Sequence, residues 1–192
     1  MSCPWCSSEA GPDGKHMDYD DITRLLFEYS KVCDIVRISG GEPTMHPDID
    51  NIVTYCCGLY KEIILLTNGS YHYYHPRITK YYVSRHDSYT GMYISFLLKH
   101  NVPLHNIIIT AVICPGGDVD GAIILSEVYK IPCHLYKLQR QGRAKNMVTK
   151  IEVTGENGCG RQNKITITHD GKVIKCSADK EGENCNGRTK CI

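Results

Sequence analysis

The sequence has no long apolar run and no strong excess of charge of either sign. Its 192 residues carry 22 lysines and arginines against 21 acidic residues, for a net charge of +1. A balance so close to neutral gives no reason to expect nucleic acid or an anionic membrane as a partner. No stretch approaches the length of a bilayer span, and no signal-peptide pattern opens the chain. We therefore expect a soluble, cytoplasmic protein.

The cysteine count argues against a complete disulfide framework. The chain has 11 cysteines, an odd number, and in a reducing compartment clustered cysteines more often bind metal than form disulfides. Five of them fall within apolar segments and are interpreted as small buried side chains: Cys33, Cys56, Cys57, Cys114 and Cys133. The remaining six lie near the two ends of the chain, which is where we look for metal ligands.

Apolar runs that alternate with helical patterns predict the fold class. The runs that we interpret as strands are 35–38, 62–67, 81–83, 106–113 and 132–138. Helical spacing precedes the first run, where Asp18 is the predicted N-cap, and recurs between most of the others. Continuous apolar strands separated by helices are typical of a parallel sheet. The sequence therefore predicts an α/β fold with one core and room for a small appendage.

Two short motifs suggest a metal site with a ligand beside it. Gly40 and Gly41 follow the first predicted strand and precede Glu42, so a ligand can approach the main chain next to a carboxylate. An ordinary turn, with Glu42 as a helix-end acid on a solvated surface, is the alternative. Cys3 and Cys6 form a Cys-Pro-Trp-Cys loop, which alone would also suit a redox pair or half of a zinc site.

Together these motifs resemble the radical S-adenosylmethionine (radical SAM) family, whose signature is Cys-x3-Cys-x2-Cys followed by a Gly-Gly-Glu element. The resemblance implies that Cys3 and Cys6 bind a [4Fe–4S] cluster. It also implies a set of residues for S-adenosylmethionine: Trp5, Gly40, Gly41, Glu42, Pro43, Asn68 and Ser84. For Asn68 and Ser84, a polar strand end without a ligand is an equally good interpretation.

The first cysteine of the signature is absent from the sequence. It would lie four positions before Cys3 and therefore two residues before Met1. The first strand of the family's fold would precede it. We interpret both absences as a chain that begins too late, as from a wrongly chosen start codon, with natural loss as the alternative. The expected fold is a partial (βα)6 TIM-like barrel over residues 1–145 that lacks its first strand.

The segment 155–192 predicts a second, cysteine-rich unit. Alternating runs at 164–168 and 172–175 flank Asp170-Gly171, a strong hairpin signal. Their setting resembles the SPASM or twitch extension of the radical SAM family. That resemblance implies an auxiliary iron–sulfur cluster on Cys159, Cys176, Cys185 and Cys191, and a structural zinc site on the same cysteines is the alternative.

The resemblance implies an enzyme that cleaves S-adenosylmethionine to a 5′-deoxyadenosyl radical. Its partners would be an electron donor and a substrate, for which the extension favours a peptide or protein. No residue is assigned as catalytic. A degenerate binding protein that keeps the ligand pocket without the chemistry, and a zinc-stapled module, are the alternative functions.

Polar residues near other strand ends leave further hypotheses open. His72 and His75 form either a metal pair or part of a flexible loop. His86 belongs either to a proton relay with Asp87 or to a simple turn. Arg143, in the run Gln139-Arg140-Gln141-Gly142-Arg143, belongs either to an anion site or to a solvated linker.

Overall fold

The computed structural model describes residues 3–4, 6, 11, 13–86, 89–138, 143, 166–167 and 173–174. The helices are α1 (Tyr19–Ser30), α2 (Ile49–Cys57), α3 (Tyr89–Lys99) and α4 (Val119–Tyr129). The strands of the main sheet are β1 (Ile35–Ile38), β2 (Glu62–Thr67), β3 (Lys80–Ser84), β4 (Ile107–Ile113) and β5 (Cys133–Lys137). Short 3-10 turns occupy Pro43–Met45 and Leu104–Asn106.

The five strands form one sheet in the order β1-β2-β3-β4-β5. Every neighbouring pair is parallel, with Ile38 opposite Leu65 and Val83 opposite Ile109. This confirms the predicted α/β class and the parallel sheet. Because all strands point the same way, their carboxyl ends lie along one edge, where parallel sheets usually bind ligands. Closure of the sheet into a partial barrel remains a prediction.

The helices begin and pack as the sequence pattern predicts. The Asp18 carboxylate accepts a hydrogen bond from the Asp20 N–H at 2.9 Å, which satisfies one of the amides left open at the start of α1. The periodic side chains of α2 are all buried: Ile49, Ile52, Val53 and Cys56. Helical spacing therefore placed the inner face of α2 correctly.

The connection between β2 and β3 contains no helix over residues 68–79, in keeping with the lack of helical spacing in this tyrosine-rich stretch. Tyrosines hold this segment against the core instead. The Tyr93 hydroxyl donates to the Tyr73 carbonyl oxygen at 2.7 Å, and the Tyr81 hydroxyl donates to the His75 carbonyl oxygen at 3.1 Å. Both donor side chains are fully buried. Aromatic burial thus substitutes for a crossover helix between these parallel strands.

The five cysteines that we interpreted as core residues differ in burial. Cys56 and Cys114 are buried, whereas Cys33, Cys57 and Cys133 are half-buried. Burial raises the pKa of the Cys56 thiol from its usual 9.0 to about 12. The interpretation is therefore confirmed for Cys56 and Cys114 and only partly met for the other three.

The C-terminal segment is described at two short strands only. Thr166–Ile167 (β6) pairs antiparallel with Val173–Ile174 (β7), which is the direction that the predicted hairpin requires. The turn at Asp170-Gly171 lies outside the described residues, as do Cys159, Cys176, Cys185 and Cys191. The cysteine-rich unit at 155–192 and the division at 145 remain predictions. Within the described ranges, no helix is long and apolar enough to cross a bilayer.

Candidate functional site

The carboxylate of Glu42 joins the exits of β1 and β2. Its Oε1 accepts hydrogen bonds from the Thr44 hydroxyl at 2.6 Å, the Thr67 hydroxyl at 2.7 Å and the Thr44 N–H at 3.2 Å. Its Oε2 accepts one bond, from the Asn68 N–H at 2.7 Å. Glu42 is therefore the N-cap of a short 3-10 turn, but half-buried rather than solvated. Oε2 keeps a lone pair for a further donor.

The turn after β2 has a conformation that requires glycine. Gly69 has φ +75°, and a Cβ built there would lie 3.0 Å from the Cβ of Tyr93. The Gly69 N–H donates to the Thr67 hydroxyl at 3.0 Å, and the Ser70 N–H donates to the Asn68 side-chain oxygen at 2.8 Å. The Asn68 side chain thus stabilises its own turn, which keeps the Asn68 backbone N–H directed at Glu42.

Gly40 is different, because neither its conformation nor its packing against the described residues requires a glycine there. Its φ lies outside the left-handed region, and a Cβ at this position would meet no atom within 4 Å. Gly40 and Gly41 are both exposed, whereas Pro43 is buried at the start of the 3-10 turn. The space beside Gly40 is therefore open, which would let a small ligand reach the main chain next to Glu42.

An ion pair that sequence reasoning missed lies at the next strand ends. The Arg85 guanidinium, one residue beyond β3, binds Asp118 with Nη2 and Oδ2 2.7 Å apart. Asp118 also caps α4 through the Gly121 N–H at 2.9 Å. The Nε of Arg85 is buried and has no hydrogen-bond partner within the part of the chain that is described. The only sequence signal was an arginine directly after a strand and an aspartate before a helix.

Ser84, the last residue of β3, is held by its own chain. Its hydroxyl accepts a bond from the Thr110 hydroxyl at 3.3 Å, and its carbonyl oxygen accepts one from the Thr90 hydroxyl at 3.3 Å. These contacts link β3 to β4 and to the start of α3. The structure therefore gives Ser84 a local role at the same edge, whatever else it binds.

The Cys3–Cys6 loop is a tight turn that reaches across this edge. The Cys6 N–H donates to the Cys3 carbonyl oxygen at 3.2 Å. The Sγ of Cys3 lies 3.7 Å from Nδ1 of His86, just after β3, within reach of a weak hydrogen bond to sulfur. Arg143, which follows β5, donates from Nε to the Cys3 carbonyl oxygen at 2.9 Å. The loop thus contacts the exits of two strands that are far apart in sequence.

The structure gives contacts for the other polar residues that the sequence analysis singled out. Arg143 binds the cysteine turn through its Nε. Neither of the two hypotheses for this residue, an anion site or a solvated linker, predicted that contact. His86 lies against Cys3, and its proposed relay with Asp87 stays a hypothesis because Asp87 lies outside the described residues. His72 stacks on Phe96 with ring centroids 4.8 Å apart, while His75 accepts a bond from a backbone N–H. These separate contacts do not favour a shared metal for His72 and His75.

Metal-binding capacity at this edge rests on two thiols. Among the residues that the structure describes, no three His, Cys, Asp or Glu side chains gather closely enough to hold a metal ion. Cys3 and Cys6 supply two soft ligands, which suit iron or zinc. Trp5 lies outside the described residues. The donor set fits a cluster in chemistry and is one thiolate short of the three that the radical SAM signature uses.

A shallow groove lies elsewhere, on the outer helical layer. It has a volume of about 430 Å³ and is lined by residues of α1, α2 and the turn after α2: Tyr19, Asn51, Thr54, Tyr55, Gly58 and Leu59. It contains none of the candidate site residues. We therefore place the candidate site at the carboxyl edge of the sheet, where the chemistry-bearing side chains lie.

The fold is that of an α/β protein with a parallel sheet, and the candidate site lies at its carboxyl edge. Residues 1–95 match the model of the Radical SAM superfamily. The matched segment includes the cysteine turn, β1 to β3 and both glycine-containing turns. The match confirms, over this part of the chain, the resemblance predicted from the sequence. A comparison with curated proteins gives no significant match.

Proposed function

We propose that this chain is a radical SAM enzyme that binds a [4Fe–4S] cluster and S-adenosylmethionine at the carboxyl edge of its sheet. One observation carries the proposal. The segment that matches the superfamily, residues 1–95, contains both the cysteine turn and the Gly-Gly-Glu turn. Contacts to Asn68 and His86 bring these turns to the carboxyl ends of neighbouring parallel strands.

Cys3 and Cys6 have the role of iron ligands in this proposal, because thiolates hold such clusters. A third thiolate has to come from beyond the described set. The chemistry that the cluster would supply is one-electron cleavage of S-adenosylmethionine into methionine and a 5′-deoxyadenosyl radical, with the electron from an external donor. The protein's part is to hold the ligands, orient the substrate and exclude water.

The glycine turn has the role of binding the methionine end of S-adenosylmethionine. Gly40 leaves room at the main chain, Gly41 belongs to the set through the family resemblance, and Oε2 of Glu42 has capacity for a charged ammonium donor. Pro43 fixes the exit of that turn. Trp5, Asn68 and Ser84 complete the proposed set. Their assignment rests on the family resemblance and, for Asn68 and Ser84, on their position at strand ends.

Further parts of the proposal rest on the sequence alone. They are an auxiliary iron–sulfur cluster on Cys159, Cys176, Cys185 and Cys191, a SPASM or twitch-like unit around it, and a peptide or protein as substrate. A cytoplasmic location and an electron-donor partner belong to the same group. These follow from the resemblance of the tail and are open to direct test by metal analysis of tail cysteine variants.

A binding protein without radical chemistry is the second candidate. It is favoured by the ligand count, because no three possible metal-ligand side chains gather among the described residues, whereas the radical SAM signature uses three thiolates. Such a protein would bind S-adenosylmethionine through the glycine turn alone. Formation of 5′-deoxyadenosine after anaerobic iron and sulfide loading and reduction separates the two: the enzyme produces it and the binding protein does not.

Calorimetric titration with S-adenosylmethionine tests the proposed site. A Cβ at Gly40 meets no described atom within 4 Å, so we expect Gly40→Val to leave the stability unchanged and to weaken binding at least about tenfold. Gly58→Ala is the matched control, because a Cβ there makes only an ordinary contact of 3.8 Å with the Tyr55 carbonyl oxygen. Equal affinities for wild type and Gly40→Val would remove the site from the glycine turn.

A further inference from the structure

The cysteine turn is held from a distant part of the chain. Arg143 donates to it twice: its backbone N–H binds the Cys6 carbonyl oxygen at 3.1 Å, and its Nε binds the Cys3 carbonyl oxygen at 2.9 Å. The second bond joins residues 140 positions apart. A single residue after β5, the last strand of the main sheet, therefore binds the carbonyl groups of both cysteines.

We propose that Arg143 is a positioning residue for the Cys3–Cys6 turn. The Cys3 carbonyl oxygen accepts two bonds, one from the Cys6 N–H within the turn and one from the guanidinium. A guanidinium is always charged and donates in a fixed plane, so it orients the acceptor more strictly than a neutral donor does. The side chain thereby fixes the turn in the conformation in which the amide of Cys6 is bonded.

A second contact holds the same turn from the side of β3. Nδ1 of His86 lies 3.7 Å from the Cys3 sulfur. The turn is consequently held at its main chain from the exit of β5 and at one sulfur from the exit of β3. Loop ligands that are fixed in this way bind metal with less loss of conformational entropy, since the ordering is already present in the metal-free chain.

This inference deepens the proposed function, because the turn is the one assigned to the cluster. Its consequence is nevertheless visible without metal. The Cys6 amide is protected from hydrogen exchange by its bond to the Cys3 carbonyl oxygen. Loss of the guanidinium removes one bond from that acceptor and frees the turn to open. We expect the Cys6 amide to exchange about tenfold faster, the factor that loss of one charge-assisted hydrogen bond produces.

The experiment is amide hydrogen exchange on the full, metal-free chain, in wild type and in Arg143→Met. Arg143→Lys keeps the charge and one donor, so it should restore part of the protection. Arg77→Met is the matched control, since Arg77 is an exposed arginine whose backbone N–H, rather than its side chain, bonds to His75. Amides of β2 serve as internal references for global stability.

Faster exchange confined to the cysteine turn, with partial rescue by Arg143→Lys, is the expected result. Unchanged exchange at Cys6, or acceleration of the β2 amides by the same factor, would overturn the positioning role. Iron loading is measured separately, on a form with Cys-Ala added before Met1, which completes Cys-x3-Cys-x2-Cys. If iron does not load but Arg143→Met accelerates exchange at Cys6, the radical SAM proposal is refuted and Arg143 remains a positioning residue. If iron loads but exchange at Cys6 is unchanged, only the role of Arg143 is refuted.

Discussion

Replacement of Glu42 by glutamine tests how the exits of β1 and β2 are joined. The amide can keep its oxygen at the Oε1 position, where three donors from Thr44 and Thr67 are within 3.2 Å. Its NH2 group then faces the Asn68 N–H, whose bond of 2.7 Å to Oε2 is lost. With the amide turned the other way, the three bonds at the Oε1 position would be lost. We therefore expect glutamine to keep its oxygen at that position.

The expected loss of stability follows from the one hydrogen bond that Glu42→Gln removes. A hydrogen bond to a charged group contributes roughly 1.5–3 kcal/mol, and Glu42 is only half-buried, so we expect Glu42→Gln to lower the free energy of unfolding by about 2 kcal/mol. Glu42→Ala leaves two backbone amides without their acceptor and is expected to cost about 3 to 4 kcal/mol.

Urea denaturation followed by circular dichroism measures these changes. Glu62→Gln is the matched control, because the Glu62 carboxylate makes one partly exposed ion pair with Lys80 at 2.7 Å. Such a pair contributes at most about 1 kcal/mol. If Glu42→Gln destabilises the chain no more than Glu62→Gln does, the carboxylate does not join the two turns and our reading of this contact is wrong.

Two other perturbations address the same turns and the core. In Gly69→Ala the new Cβ would sit at a left-handed φ of +75° and 3.0 Å from the Cβ of Tyr93, so the free energy of unfolding should fall by about 3 kcal/mol. Unchanged stability would show that this position is not crowded. Cys56 has its pKa raised to about 12 by burial, so the folded chain holds this proton more tightly than the unfolded chain. Stability should therefore fall as the pH rises from about 9 towards 12, with a shallower fall in Cys56→Ala; equal pH slopes of the urea midpoint would contradict this.

Local sequence patterns were sufficient for most of the sheet. β2 and β4 are largely buried apolar runs, and α2 buries the side chains that its helical spacing selects. The Asp18 cap was readable because an N-cap bond spans only two residues. The contacts that hold the connection at 68–79 were not readable in this way. Tyr93 of α3 binds that connection from a distance in sequence, and a local hydrophobic period does not predict such a contact.

The candidate site was predictable in its residues but not in its contacts. Gly40, Glu42, Cys3 and Cys6 stand out from their spacing and chemistry. The bonds of Glu42 to Thr67 and Asn68 and the bond of Arg143 to Cys3 join residues that are 25 to 140 positions apart. Such contacts depend on how the strands are ordered in the sheet, and a single sequence does not encode that order locally.

Iron loading tests the central claim most directly. A Cys-Ala dipeptide added before Met1 puts a cysteine four positions before Cys3 and completes Cys-x3-Cys-x2-Cys, and a Ser-Ala dipeptide is the matched control. After anaerobic loading with iron and sulfide, we expect the Cys-Ala form to hold about four more iron atoms per chain than the Ser-Ala form, with matching sulfide. Equal iron in the two forms, or zinc in place of iron, would contradict the assignment of Cys3 and Cys6 to a radical SAM cluster.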